Sequence, residues 1–247
     1  MLFDSHVHFG QFNDRYYTPP QVLKTLDCIG VTRFAYSSTS AVVTDDPVFM
    51  REERVAMKEL SKNRAIPLLW VTHSMLTKSK DLTLFLDDEI RGLKIHGVSE
   101  KWNPEGKSLQ RVFSIARDRK IAVKLHTGEK EKCYAGMYKK ICQQFDNVRV
   151  LLAHGRPLEQ TIDVLKNCSN VFVDTAFMPH DHLKLLLKEG FANQIVFGSD
   201  APIPSLFLKS SLTRHLRSRI DMSMKISGAD WSKISWKNAN RLFGIVG

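Results

Sequence analysis

The sequence predicts an α/β fold of the (β/α)8 type, a TIM barrel with an extra C-terminal helix, in one domain spanning residues 1–247. Three observations carry the prediction. Short apolar runs alternate with amphipathic segments along the whole chain. Eight such pairs can be counted. The 247 residues divided by eight give about 31 per unit, close to the ~30 of a strand–helix–strand piece.

The elements are expected in this order. Leu2 to His8 is a strand and Pro20 to Ile29 a helix. Val31 to Ser37 is the second strand, followed by a helix over Pro47 to Lys62. Ala65 to Thr72 precedes a helix near Lys80 to Asp87. Ile90 to His96 precedes one over Ser108 to Arg119. Ile121 to His126 is the fifth strand, with a helix over Cys133 to Phe145. Val148 to His154 precedes Leu158 to Asn167, and Val171 to Ala176 precedes Asp181 to Glu189. Gln194 to Ser199 is the eighth strand, followed by a helix from Ser205 to Arg219. Trp231 to Phe243 is the additional closing helix. The strands are continuous apolar runs rather than alternating ones, as parallel strands covered on both faces require. An open doubly wound sheet would carry a glycine-rich turn after its first strand; this chain has His6-Val7-His8 there.

Composition narrows the function classes. The chain is 43% apolar, enough for a sizeable core, and no apolar run approaches the roughly 20 residues of a membrane span. The opening residues lack a basic stretch followed by an apolar one, so no signal peptide is expected. Cys28, Cys133, Cys142 and Cys168 show no metal-type pairing and are expected as reduced thiols of a cytoplasmic protein. The net charge of +10 is dispersed over expected helix surfaces, without a basic tail. A solvated surface is its simplest meaning, and no nucleic-acid partner is expected.

The last residues of each expected strand carry the chemistry. Strand one ends in His6 and His8, which a period of two puts on one face. Strand four ends Lys94-Ile95-His96, strand five Lys124-Leu125-His126, strand six Ala153-His154-Gly155 and strand eight Gly198-Ser199-Asp200. In such a barrel these ends gather at one mouth. Imidazoles with a carboxylate suit zinc or a similar divalent ion. Arg156, just past His154, is the candidate for binding a substrate carboxylate or phosphate. Trp70, Tyr36, Phe177 and Met178 are candidates for an apolar wall, and Asp174 for orienting a histidine. His73, His180 and His182 are expected in loops and His215 on a helix surface. The plainer readings stand beside these: Asp200 as a helix cap, His154 as a hydrogen-bonded histidine, Lys94 salt-bridged to a buried carboxylate, Arg156 as a surface loop residue.

Taken in order, the motifs His-Val-His, Gly-Leu-Lys-Ile-His, Lys-Leu-His-Thr-Gly, Leu-Ala-His-Gly, Phe-Gly-Ser-Asp-Ala-Pro and Asn238-Ala-Asn-Arg-Leu-Phe243 resemble the amidohydrolase superfamily, and within it the amidohydrolase 2 type. The resemblance covers the whole chain. It implies that His6, His8, His126 and Asp200 hold one divalent metal, most simply zinc. It implies that Asp200 and His154 transfer protons or orient substrate. A second ion would involve His154, Lys94 and His96, with Lys94 carbamylated. The implied reaction is hydrolysis of a C–N, C–O or lactone bond in a small, anionic substrate by water that the metal acidifies from about 15.7 to about 7. The alternative is metal-dependent, non-oxidative decarboxylation of an unsaturated or aromatic acid. A TatD-like nuclease also begins with His-x-His. That family expects a glutamate at strand four and Glu-Thr-Asp at strand eight, where this chain has Lys94-Ile95-His96 and Gly198-Ser199-Asp200. A homo-oligomer is compatible with all of this.

Overall fold

A computed structural model describes residues 1–12, 14–44, 46–76 and 82–245. Its sheet runs β2-β1-β3-β4-β5-β6-β7-β8-β9, with β1 at Phe3–Phe12, β2 at Arg15–Tyr17, β3 at Arg33–Ser38, β4 at Ala65–Trp70 and β5 at Gly92–Ile95. The remaining strands are β6 at Ala122–His126, β7 at Val150–Ala153, β8 at Val171–Asp174 and β9 at Ile195–Val196. Every pairing is parallel except β1 with β2. The sheet closes on itself past β9: Ser5 N donates to Phe197 O (2.9 Å), Asp200 N to His6 O (2.8 Å) and His8 N to Ala201 O (2.7 Å). The eight parallel strands are those expected; the β2 hairpin is additional. Three half-exposed residues with no apolar alternation leave no signal of it in the sequence.

Helices α1 (Pro19–Cys28), α2 (Pro47–Leu60), α3 (Lys107–Arg119), α5 (Leu158–Asn167) and α6 (His180–Lys188) lie within two residues of expectation. Their starts are chemically marked. Thr18 and Gln21 form a capping box before Pro19, and Asp46 caps α2 before Pro47. Three expected helices differ. The segment from Lys80 to Asp87 holds only a 3₁₀ turn, Leu82–Phe85, its first two residues lying outside the described ones. Cys133 to Phe145 divides into 3₁₀ turns and a short α4 (Lys139–Gln144). Long-range bonds divert its backbone, Gly128 N to Cys133 O (3.1 Å) and Ala135 N to Arg156 O (2.8 Å). Helix α7 spans Leu212–Ser227, later than expected, because Ile203–Leu206 makes a separate 3₁₀ turn at the mouth. His180 and His182 therefore belong to α6 rather than to a loop.

The tail closes the barrel floor. Phe3, Ala35, Leu68, Ala122, Leu151, Phe172 and Val196 form an apolar layer with Ala239, Leu242 and Phe243 of α8 (Asn238–Phe243). Phe3 and Phe243 stack at 5.7 Å. The Asn238 side chain donates to Ala192 O and Ile195 O (2.8 and 2.7 Å), pinning the tail beneath β9. A second, larger apolar cluster packs the helices on the outside of the barrel. No described helix is long and apolar enough to cross a membrane.

Candidate metal centre and its cavity

A bulge in β1 sets the site. Between Asp4 and Val7 the register against β3 slips by one residue. An unbroken strand would put Phe3 and His6 on opposite faces. With the extra residue, Phe3 packs into the floor while His6 and His8 both line the mouth. Asp4 holds the bulge: its Oδ1 accepts from His6 N (3.1 Å) and Ser199 N (2.9 Å), tying β1 to the loop after β9. Burial pushes the Asp4 carboxyl up to about 6, against the opposing hydrogen bonds. A buried acid inside Phe-Asp-Ser-His was the available sign of this role.

Three imidazoles are fixed through Nδ1. His6 Nδ1 donates to Asp174 Oδ2 (2.8 Å), His8 Nδ1 to Ser37 O (2.9 Å) and His154 Nδ1 to Ala176 O (3.1 Å). In the neutral ring each bond assigns the lone pair to Nε2. Burial lowers His8 and His154 to about 4 despite nearby Asp200, which keeps both rings neutral. Asp174 does what its sequence position suggested and more: its Oδ1 also accepts from His154 N and Ala176 N, both at 3.0 Å.

The donor atoms then crowd one point. His6 Nε2 and His8 Nε2 are 3.1 Å apart; Asp200 Oδ1 lies 3.0 Å from the first and 3.1 Å from the second. That buried oxygen faces both rings without a hydrogen bond aligned to it. Burial opposes ionisation of Asp200, and positive charge on the side of His6 and His8 outweighs it, so the carboxyl lies well below the usual range. Two lone pairs and a carboxylate oxygen at such distances repel unless a positive charge lies among them. Ligands about 2.0–2.1 Å from a tetrahedral zinc are spaced roughly 3.3 Å apart, so the triad fits such an ion. Donor atoms of His6, His154 and Asp200 lie within 4.8 Å of one another, so His154 also reaches the cluster.

His126 differs from the expectation. Its Nε2 meets the carboxylate of Glu129 rather than the triad, although its ring adjoins His154 at 4.8 Å. His96 offers a donor, not a ligand: Ser99 N donates to its Nδ1 (3.1 Å), so the neutral ring carries its proton on Nε2. It is stacked between Trp70 (5.2 Å) and His126 (4.0 Å), and burial, with the Lys94 ammonium nearby, holds it neutral. Among the described residues Lys94 makes no salt bridge, contrary to one expectation. Its Nζ is buried without a hydrogen-bond partner, 5.7 Å from the Trp70 ring, and burial lowers it to about 8. Lys124 Nζ donates to Ser5 O (3.3 Å) beneath the site.

These groups open into a cavity of about 410 Å³. Trp70 and Phe177 line it with Phe12, Val98, Ile203 and Phe207; Tyr36 and Met178 pack instead into the outer core. Arg156 and Glu129 stand at its rim, 3.3 Å apart. Glu129, three residues past the end of β6 as Arg156 is past the end of β7, was findable by the same rule that selected Arg156. His73 stacks on Trp102 (4.2 Å), away from the cavity. Backbone strain concentrates here too. Among described non-glycine residues with positive φ, Lys62, Asn63 and Lys120 follow helix ends, whereas Glu129, His154, Phe177 and Asp200 all line the cavity. Each such residue costs about 1–3 kcal/mol, and such costs gather where function requires them.

A sequence model of the Amidohydrolase family matches residues 3–245. The chain belongs to the amidohydrolase family. Membership makes it an enzyme of the metal-dependent hydrolase kind, and the nuclease alternative loses its ground. No curated protein matches the sequence. Among solved structures, the chain resembles an amidohydrolase from Burkholderia multivorans with bound zinc (15% identity, 100% of each chain, TM-score 0.72). It also resembles a probable 2-pyrone-4,6-dicarboxylic acid hydrolase from Acinetobacter baumannii with citric acid bound (15%, 98% and 99%, 0.72). A third is the IDCase of Metarhizium anisopliae in apo form (13%, 99% and 97%, 0.71). At these identities the likeness concerns the amidohydrolase barrel itself.

Proposed function

We propose that the chain hydrolyses a C–N, C–O or lactone bond of a small anionic molecule, using water activated by one divalent ion. The observation that carries this is the triangle of His6 Nε2, His8 Nε2 and Asp200 Oδ1, with edges of 3.0–3.1 Å. These three would hold the ion, zinc by preference, and His154 or His126 would complete the set. An ion bound there supplies a Lewis acid that makes an attacking water acidic near neutral pH. Asp200, kept ionised, accepts the proton from the attacking water and returns it to the leaving group. His154, fixed by Ala176 O and next to both Asp200 and the cavity, orients the substrate. His96 Nε2–H and Lys94 Nζ present donors to the substrate's oxygens. Arg156 takes its carboxylate at the rim. We read the enzyme as a single-domain cytoplasmic protein; Cys133, Cys142 and Cys168 are buried and free, as reduced thiols would be.

Decarboxylation is the second reading. The buried, unpartnered Lys94 ammonium beside the triad favours it, because such a group can hold a carboxylate against the ion. A panel of lactones, amides and unsaturated dicarboxylates, followed for ring or bond opening and for CO₂, separates the two. Hydrolysis without CO₂ is expected, and CO₂ release with no hydrolysis overturns the first reading.

A further inference from the structure

The rim pair stands between two chambers. Arg156, Glu129 and Phe177 line the catalytic cavity on one side. On the other they line a cavity of about 510 Å³ that also takes in Tyr134, Pro179 and His182. Arg156 is built into this partition. Gly128, at φ +107°, leaves it room: a Cβ there would come within 2.8 Å of Arg156 Cδ and 3.2 Å of its Cβ. Its guanidinium lies over the Phe177 ring at 5.9 Å and donates to Phe177 O at 3.5 Å. Its ionic partner is Glu129, whose other carboxylate oxygen reaches His126 Nε2.

Glu129 is thus a planar carboxylate bridging a fixed arginine and a buried imidazole of the site. Its side chain is 47% exposed, while His126 is 8% exposed. Glu129 also sits at φ +56°, a backbone state that branchless glycine would take more readily. An exposed carboxylate in a strained position is held by its two contacts and is free to turn into solvent when they are taken over. A substrate carboxylate has the same shape, charge and fork geometry for arginine.

We propose that the Glu129 carboxylate is a resident stand-in for the substrate's carboxylate, and that an anionic substrate enters by replacing it on Arg156. The exchange couples recognition to assembly of the site, because the movement that vacates Arg156 also frees His126 Nε2 toward the cavity. Glu129 then sets specificity by competition: neutral molecules do not displace it, and carboxylates do. This rests on the anionic-substrate reading above.

The test is calorimetric titration of citrate into the wild type, Glu129→Gln, Arg156→Met and the double variant, with thermal melts confirming that each is folded. Glu129→Gln should bind citrate about tenfold more tightly than the wild type. Arg156→Met should lose at least tenfold. In the Arg156→Met background, Glu129→Gln should change affinity less than twofold, since Glu129 competes for that arginine alone. Unchanged or weaker binding by Glu129→Gln overturns the proposal. So does an equal gain in the Arg156→Met background, which would mark a general charge effect. Binding that needs Arg156 but ignores Glu129 sinks this proposal and leaves the anionic-substrate reading standing. Absence of citrate binding in all four proteins overturns both.

Discussion

At the barrel floor, Phe3, Leu68, Leu151, Phe172 and Val196 meet one another and the tail's Leu242 and Phe243. A few residues further along the same strands, His6, His8, Trp70, His126, Asp174 and Asp200 converge on the mouth. The floor layer is apolar, with the buried Asn238 amide hydrogen-bonded at its edge. The mouth buries lone pairs, a carboxylate oxygen without an aligned partner and an unpartnered ammonium, and holds four non-glycine residues at positive φ. Lys94 and Lys124 lie between the two ends, and burial depresses both. The contrast shows stability and chemistry separated by depth along one set of strands. The floor stabilises the fold, and the mouth can then carry arrangements that cost free energy until a cation and a substrate arrive.

Four substitutions or conditions would break or sharpen this division. The largest effect belongs to the mouth: Asp200→Asn should lower turnover by at least ~10³-fold, with circular dichroism and melting close to wild type. An equal loss of stability would show that the mouth also carries the fold. The converse change is Phe172→Ala in the floor, which should cost about 3–5 kcal/mol in urea unfolding while the folded fraction binds zinc as before. Asp174→Asn should weaken zinc binding about 10–100-fold, because it removes the carboxylate that orients His6 and bonds the His154 backbone. Zinc affinity left intact would remove Asp174 from the account of the mouth.

Acid should act on the mouth of the metal-free protein. His8 and His154 titrate near 4 in the fold and near 6.5 when exposed. Their contribution to stability is complete above about pH 6.5 and is lost as pH falls toward 4. Asp4, raised to about 6, acts in the opposite sense, its contribution present below about 3.8 and lost as pH rises through 6. Burial depresses His96 and His126 in the same sense, so the imidazoles outweigh the one carboxyl and stability should fall by at least roughly 2 kcal/mol between pH 7 and pH 5. Urea midpoints at the two pH values measure this, and a higher midpoint at pH 5 would contradict the sign.

How much of this could be read from sequence follows the same contrast. The floor and the strand order obey local rules, so continuous apolar runs and capping residues such as Thr18 and Asp46 disclose them. The principal mouth residues were visible because a barrel brings strand ends together, whatever the loops do. What the sequence left dark depends on distant partners. His126 turns to Glu129 rather than to the triad, and His96 receives Ser99 N and so presents a proton. The broken helix around Glu131–Tyr138 answers to backbone bonds from Gly128 and Ala135. None of these contacts has a period or a spacing. The β1 bulge is the sharpest case, since a period of two correctly pairs His6 with His8 but misplaces both relative to Phe3.

The central claim is that His6, His8 and Asp200 form a metal centre. Calorimetric titration of zinc into chelator-treated protein tests it most directly, comparing the wild type with a His6→Ala/His8→Ala variant. About one ion per chain should bind to the wild type, with a raised melting temperature, and the variant should lose both effects. Failure of the wild type to take up zinc, or equal uptake by the variant, would contradict the account.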